Sequence, residues 1–181
     1  PGPELAMAYS NLAQLRMLDD DLAETLRWGE KAIALAEELE LTETLVHALA
    51  NVGSARLFAG DDHGCDELTR SLHLALDEGL VDHAGRALTN LAWTTLLSMR
   101  LDEADRQIAS AIAYAIDHDL DTYRWYRLAG RAALRVPQGA WDIADQELHQ
   151  LLRQPAISSV TRIVALTALG QLQARRGNSE A

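Results

Sequence analysis

The chain has 181 residues, 48% of them hydrophobic but only 5% aromatic, so Leu and Ala must supply most of the packing. A net charge of −11 repels phosphate backbones and excludes direct nucleic-acid contact through a basic surface. One cysteine excludes an internal disulfide framework, and no apolar run reaches the roughly 18–20 residues of a membrane span, so a soluble, cytoplasmic protein without a secretory leader is expected.

In chain order, one twelve-residue frame recurs five times. It reads MAYSNLAQLRML from Met7, HALANVGSARLF from His47, RALTNLAWTTLL from Arg86, YRWYRLAGRAAL from Tyr123 and VALTALGQLQAR from Val164, at separations of 40, 39, 37 and 41 residues. Each copy holds a small residue after Leu or Val, namely Ala13, Gly53, Ala92, Ala129 and Gly170. A small side chain on one helix face lets a second helix come close. The segments around Thr25, Cys65, Ala104 and Ala144 supply that second helix, with Ala32, Leu72, Ala111 and Leu151 two turns further along the same face. A two-helix unit of about 40 residues predicts an all-α fold: an α-α superhelix of about five antiparallel pairs, the last incomplete. We take 1–181 as one repeat domain, with units at about 4–40, 42–79, 81–119, 121–154 and 157–181.

The first pair is expected over about 4–18 and 21–39, with Asp19, Asp20 and Asp21 capping the second helix and Pro1, Gly2 and Pro3 in a preceding loop. The second is expected over 42–59 and 62–78, with Gly60 in the turn and Gly79 closing the pair. The third spans 81–99 and 102–118. In the fourth, Asp121 caps a helix to 136, Pro137, Gln138 and Gly139 turn the chain, and a helix to about 153 stops before Pro155. A fifth first helix covers 158–176; Gly177, Asn178 and Ser179 then begin a turn, and Glu180 and Ala181 a partner helix. Without that partner the stripe Ile163, Leu166, Leu169 and Leu172 lacks a full cover. The expectation is a fragment of a longer protein, with more repeats or another domain beyond its ends; the alternative is a natural end covered by self-association.

The segments NLAQLRML and DLAETLRWGEKAIALAEEL, then AEELELTETLVHALANVGSARLFAGD, RLAGRAALRVPQGAWDIADQEL and LGQLQARRGN, resemble tetratricopeptide (TPR) repeats of the longer, 40-residue kind. In particular they are similar to the repeat region of large bacterial LuxR-type regulators, which join an ATPase module, helical repeats and a helix-turn-helix domain. The resemblance implies a non-enzymatic interaction or signal-relay region of a transcriptional regulator. Departures are Arg127 and Ala168 where the frame has Asn, and Thr25 at the small position of the second helix. Neither a phosphate-binding loop nor a recognition helix occurs, so no cofactor is expected in this segment, and ATP or DNA binding would belong to other parts of the parent chain.

Function is then expected on the concave face lined by the first helices. The frame places Asn11, Asn51, Asn90 and Arg127 at one equivalent position, Arg86 and Tyr123 beside His47, and Trp93 and Tyr126 next to the ladder. Amides flanked by Arg and aromatics suit an extended peptide, a carboxylate or a polar small molecule; alternatively the amides satisfy groups between helices. Arg124, Arg127, Arg131 and Arg135 form a basic stripe for an acidic segment or a neighbouring domain, or pair internally with Asp119, Asp142 or Asp145.

His63 and Cys65 among Asp61, Asp62 and Asp66 lack converging metal-ligand spacing, and Cys65 falls on the small buried position, so neither a metal site nor an enzyme is expected. Expected partners are a protein or peptide, a neighbouring domain, a small polar effector in the groove, or a second copy through the end repeats; no nucleic acid and no membrane are among them.

Overall fold

In a computed structural model of the chain, residues 2–155 and 157–177 are described. Among them lie nine helices: α1 (Pro3–Leu18), α2 (Leu22–Glu38), α3 (Thr42–Phe58), α4 (His63–Asp77), α5 (Val81–Leu97), α6 (Leu101–Asp117), α7 (Asp121–Arg135), α8 (Trp141–Leu152) and α9 (Ser159–Arg175). The fold is all-α and of the α-α helical-repeat class. No helix among the described residues is long and apolar enough to cross a membrane.

The chain divides into two compact units, Pro1–Thr94 and Thr95–Ala181, with the division inside α5. In the first unit α1 packs on α2, α3 on α4, and both α1 and α2 on α3. In the second, α7 packs on α6, α8 and α9, and α8 on α9. Within each unit first helices therefore stack on first helices, α1 on α3 and α7 on α9, while α2, α4 and α8 close their own pairs.

The turns explain the repeat length. A left-handed residue follows the helix at Asp20, Glu40, Gly60, Gly79, Met99, Asp119 and Gly139, at intervals of 19 or 20 residues, and again at Gly177. The next amide then bonds back to a carbonyl inside the helix: Asp21 to Arg16 at 2.9 Å, Leu41 to Ala36 at 2.8 Å, Leu80 to Ala75 at 2.8 Å and Leu120 to Ala115 at 2.8 Å. This is the Schellman hydrogen bond, and at Leu41, Leu80 and Leu120 the residue following the left-handed one is apolar, as that closure favours. Four of these positions carry no glycine, although the conformation costs an L-residue about 1–2 kcal/mol. Glu40 is exposed at φ 55°. Glu40→Gly should therefore raise stability by about 1 kcal/mol, a melting increase of about 2–4 °C for a chain of this size, read by calorimetry.

Helix starts agree with expectation at Asp21, whose carboxylate accepts from the Glu24 amide at 3.1 Å, and at Ser158, whose hydroxyl accepts from the Thr161 amide at 3.2 Å. Two starts differ. Pro3 opens α1 and does not belong to a loop, because its fixed φ suits the first helical position. Asp121 does not cap α7: Leu120 holds that place without a side-chain bond, and Asp121, one residue inside, pairs with Arg124 at 2.9 Å. The expected turn at Asn178 and Ser179, and the partner helix at Glu180 and Ala181, lie outside the described residues.

The buried stripe of the second helices is a strict series: Thr25, Gly29, Ala32 and Ala36 in α2; Gly64, Leu68, Ser71 and Ala75 in α4; Ala104, Ile108, Ala111 and Ala115 in α6; Ala144, Leu148 and Leu151 in α8. In α4 this moves the expected register by one residue. Gly64, not Cys65, fills the small position, and Ser71, not Leu72, follows it. The reason is contact of two backbones: a Cβ added at Gly64 would lie 2.3 Å from the Gly53 carbonyl oxygen, and one at Gly53 would lie 2.7 Å from the Gly64 carbonyl oxygen. Arg56 locks the same corner, with Asp61 and Glu67 each at 3.1 Å.

Candidate functional site

The polar residues of the first helices in the first unit gather into one seam across α1, α3 and α5. Spacings of three and four put His47, Asn51 and Ser54 on one face of α3, and His83, Arg86 and Asn90 on one face of α5. Asn51 is fully buried; its amide donates to the Ser10 carbonyl of α1 at 3.1 Å, and its oxygen accepts from the Arg86 guanidinium of α5. Asn90 repeats the move one helix on, donating to the Ser54 hydroxyl at 2.8 Å. Each asparagine thus reaches back to the preceding first helix, and the ladder is a series of internal tethers at Asn51 and Asn90.

His47 lies in the same seam, 9% exposed, with Nδ1 2.7 Å from the Ser10 hydroxyl and its ring edge-on to His83 at 5.9 Å. Burial, then the charge of Arg86 and the proximity of His83, lower its pKa to about 4, so the ring is neutral at pH 7. His83, itself largely buried, reaches the exposed Glu43, with Nε2 3.5 Å from its carboxylate. The accessible rim of the seam is therefore Glu43, His83 and the half-buried Arg86, anchored from beneath by buried Asn51 and His47. A guanidinium held by an amide below it has a fixed direction, and its planar fork is of the kind that pairs with carboxylates.

The other candidates are placed differently. Asn11 is exposed, because among the described residues no first helix precedes α1 for it to reach. Trp93 is half-buried in the first unit, and Tyr126 lies in the second. There Arg127 is 3% exposed, donates to the Ala111 carbonyl at 3.0 Å and sits over the Tyr123 ring at 5.4 Å; burial brings its pKa down to about 10, so it stays charged. Burial also pushes the Tyr126 phenol up.

The basic stripe divides between neighbours. Arg127 faces α6, Arg124 pairs with Asp121 and covers Trp125 at 4.7 Å, and Arg131 and Arg135 both pair with Glu147 of α8. Internal pairing holds, but through Asp121 and Glu147 and not through the expected Asp119, Asp142 or Asp145: the last two lie on the same helix α8 as Glu147 and bind Arg176, which follows α9. Between α7 and α8 a cavity of about 220 Å³ opens against Trp125, Leu128 and Gln154.

Sequence reasoning missed Ser10, Glu43, Ser54 and His83. The signal for His83 was available, since it lies three residues before Arg86 on the same face. Ser10 and Ser54 occupy different places in the frame, so comparing copies hid them. Among the described residues no three His, Cys, Asp or Glu side chains are placed to hold a metal ion. Compared with known proteins, the chain matches no family model and no curated protein.

Proposed function

We propose that the chain is a non-catalytic interaction scaffold of the TPR type, which offers the first-helix seam around Arg86 to an extended segment of a protein partner. The observation behind this reading is the fixed Arg86 guanidinium, held at the seam by buried Asn51, with the His83–Glu43 pair on the same seam. The seam is polar at its rim and rigid beneath, which suits backbone and carboxylate recognition better than chemistry on a small substrate. Following the resemblance of its repeats, we place this scaffold in the signal-relay region of a LuxR-type regulator.

Peptides selected from a random library against the purified chain should lose about tenfold or more in affinity on Arg86→Lys, which keeps the charge but not the planar fork. Selected peptides that ignore this change would remove the seam from the account. The regulator reading has its own test in the natural reading frame, where a phosphate-binding loop upstream and a helix-turn-helix downstream are expected and the absence of both sinks it.

A second reading, a small-molecule sensor, has one observation in its favour: a cavity of about 260 Å³ in the first unit, walled by Met17, Leu22, Ala55 and Phe58, with Asp20 and Asp21 beside them. Those walls and acids suit an amphiphilic cation rather than a polar anion.

A further inference from the structure

The first helix of the fourth pair carries a charge that the packing of the pair does not call for. Arg135 stands four residues before the left-handed Gly139, as Arg56 stands four before Gly60; Glu147 and Glu67 each lie three residues past the first buried residue of their helices, Ala144 and Gly64. The Arg56–Glu67 corner thus recurs as Arg135–Glu147 and is part of how a pair is closed. Arg131 is the addition. Eight residues before the glycine, where the fourth pair has Arg131, the second pair has Val52, which is 1% exposed and lies against Gly29 of α2.

Arg131 stands in the wall of the cavity of about 220 Å³ between α7 and α8. It is held loosely there. Glu147 gives its Oε1 to Arg135 in close contact, the same oxygen lies 3.5 Å from Arg131, and the Arg131 Nε is shut away from solvent without a hydrogen-bond partner. A buried donor in that state leaves the guanidinium a bond short. Two guanidiniums share one carboxylate, and Gln150 and Gln154 beside them are neutral, so this end of the cavity is positively charged. The other walls are apolar: the Trp125 indole, Leu128 and Leu151.

We infer that this cavity binds a small carboxylic acid with a flat apolar body, its carboxylate on the Arg131 guanidinium and its body among Trp125, Leu128 and Leu151. A turn of the Arg131 side chain toward the ligand exchanges one long contact for the paired bonds that a guanidinium makes with a carboxylate. The indole offers the flat surface on which a ring stacks. The space equals that of about seven waters, which suits one ring with a short acid arm. A phosphate would ask for more donors than one guanidinium supplies and would gain nothing from three apolar walls.

The test titrates phenylacetate into the full chain, followed by saturation-transfer NMR, with phenylacetamide as the neutral compound of the same shape. Phenylacetate should bind saturably and the amide about tenfold or more weakly. Arg131→Met puts an apolar side chain where the second pair holds Val52, so it should keep the circular dichroism of the native chain while weakening phenylacetate to the level of the amide. No saturation by phenylacetate, equal affinity for acid and amide in the native chain, or an affinity for phenylacetate unchanged by Arg131→Met would each overturn the proposal. An acetylated tripeptide ending in phenylalanine that binds about tenfold more tightly than phenylacetate would also overturn it, and would assign the cavity to the C-terminus of a protein partner.

Discussion

Gly64→Ala should destabilise the chain by about 2–4 kcal/mol, although the substitution improves helix propensity. The added methyl would lie 2.3 Å from the Gly53 carbonyl oxygen and 2.9 Å from carbons of Arg56 and Leu57. A flexible side chain could rotate away, but a backbone oxygen inside α3 is fixed by its own helix. Relief must come from parting α3 and α4, which breaks the Arg56 contacts with Asp61 and Glu67 and uncovers Leu68. Against a typical total of about 5–15 kcal/mol the loss is large. Urea unfolding followed by circular dichroism measures it, with Gly170→Ala as the opposite case. There nothing lies within 4 Å, so the same change should stabilise the chain by about 0.5–1 kcal/mol. Equal effects at the two glycines would mean that the close approach of α3 and α4 is not what Gly64 serves.

The second large effect is acid-dependent. His47 is lowered from the ordinary 6.5 to about 4 in the folded chain, mainly by burial. Between those values the unfolded chain binds a proton that the folded chain refuses, so stability falls as the pH drops from 6.5 and levels off below about 4. Above 6.5 the ring is neutral in both states and the term vanishes. The shift corresponds to at most about 3 kcal/mol. Facing the ring are the Ser10 hydroxyl from α1 and His83 and Arg86 from α5, with Glu43 of its own helix beside His83. Unfolding free energies from pH 4 to 8 should show this loss in the native chain and a loss about 2 kcal/mol smaller in His47→Gln. Parallel curves for the two proteins would assign the acid sensitivity to other groups.

How much of this could be read from the sequence depends on whether a residue acts within its own helix or across to another. The helix boundaries were legible because capping and left-handed closure are local: Asp21, Gly60, Gly79 and Gly139 announce themselves by type. Asp20, Glu40, Met99 and Asp119 take the same conformation without the residue that advertises it, so the 20-residue period of the turns was hidden inside the 40-residue period of the helices. The register of α4 failed for a related reason. Cys65 and Gly64 are both small neighbours, and only the contact with Gly53 decides which of them faces α3.

The seam was half legible. His47, Asn51, Arg86 and Asn90 were found by their shared place in the frame, yet whether an amide at that place meets a ligand or a neighbouring helix depends on what lies in front of it. At Asn51 that is the Ser10 carbonyl, and at Asn11 it is solvent. The arginine stripe was visible as spacing, while its division between α6 and α8 rests on where Ala111 and Glu147 present their oxygens.

The tethering of each asparagine to the helix pair before it also bears on how the chain reaches this state. The bond from Asn51 to Ser10 spans 41 residues, that from Asn90 to Ser54 spans 36, and within each unit helices pack only on the next helix or the next but one. The loops that these contacts close within each unit are therefore short, and their entropic cost is met almost at once by the burial that closure brings. Within each unit folding can begin at any pair and spread by adding one neighbour at a time, so the unit's speed limit is local rather than global.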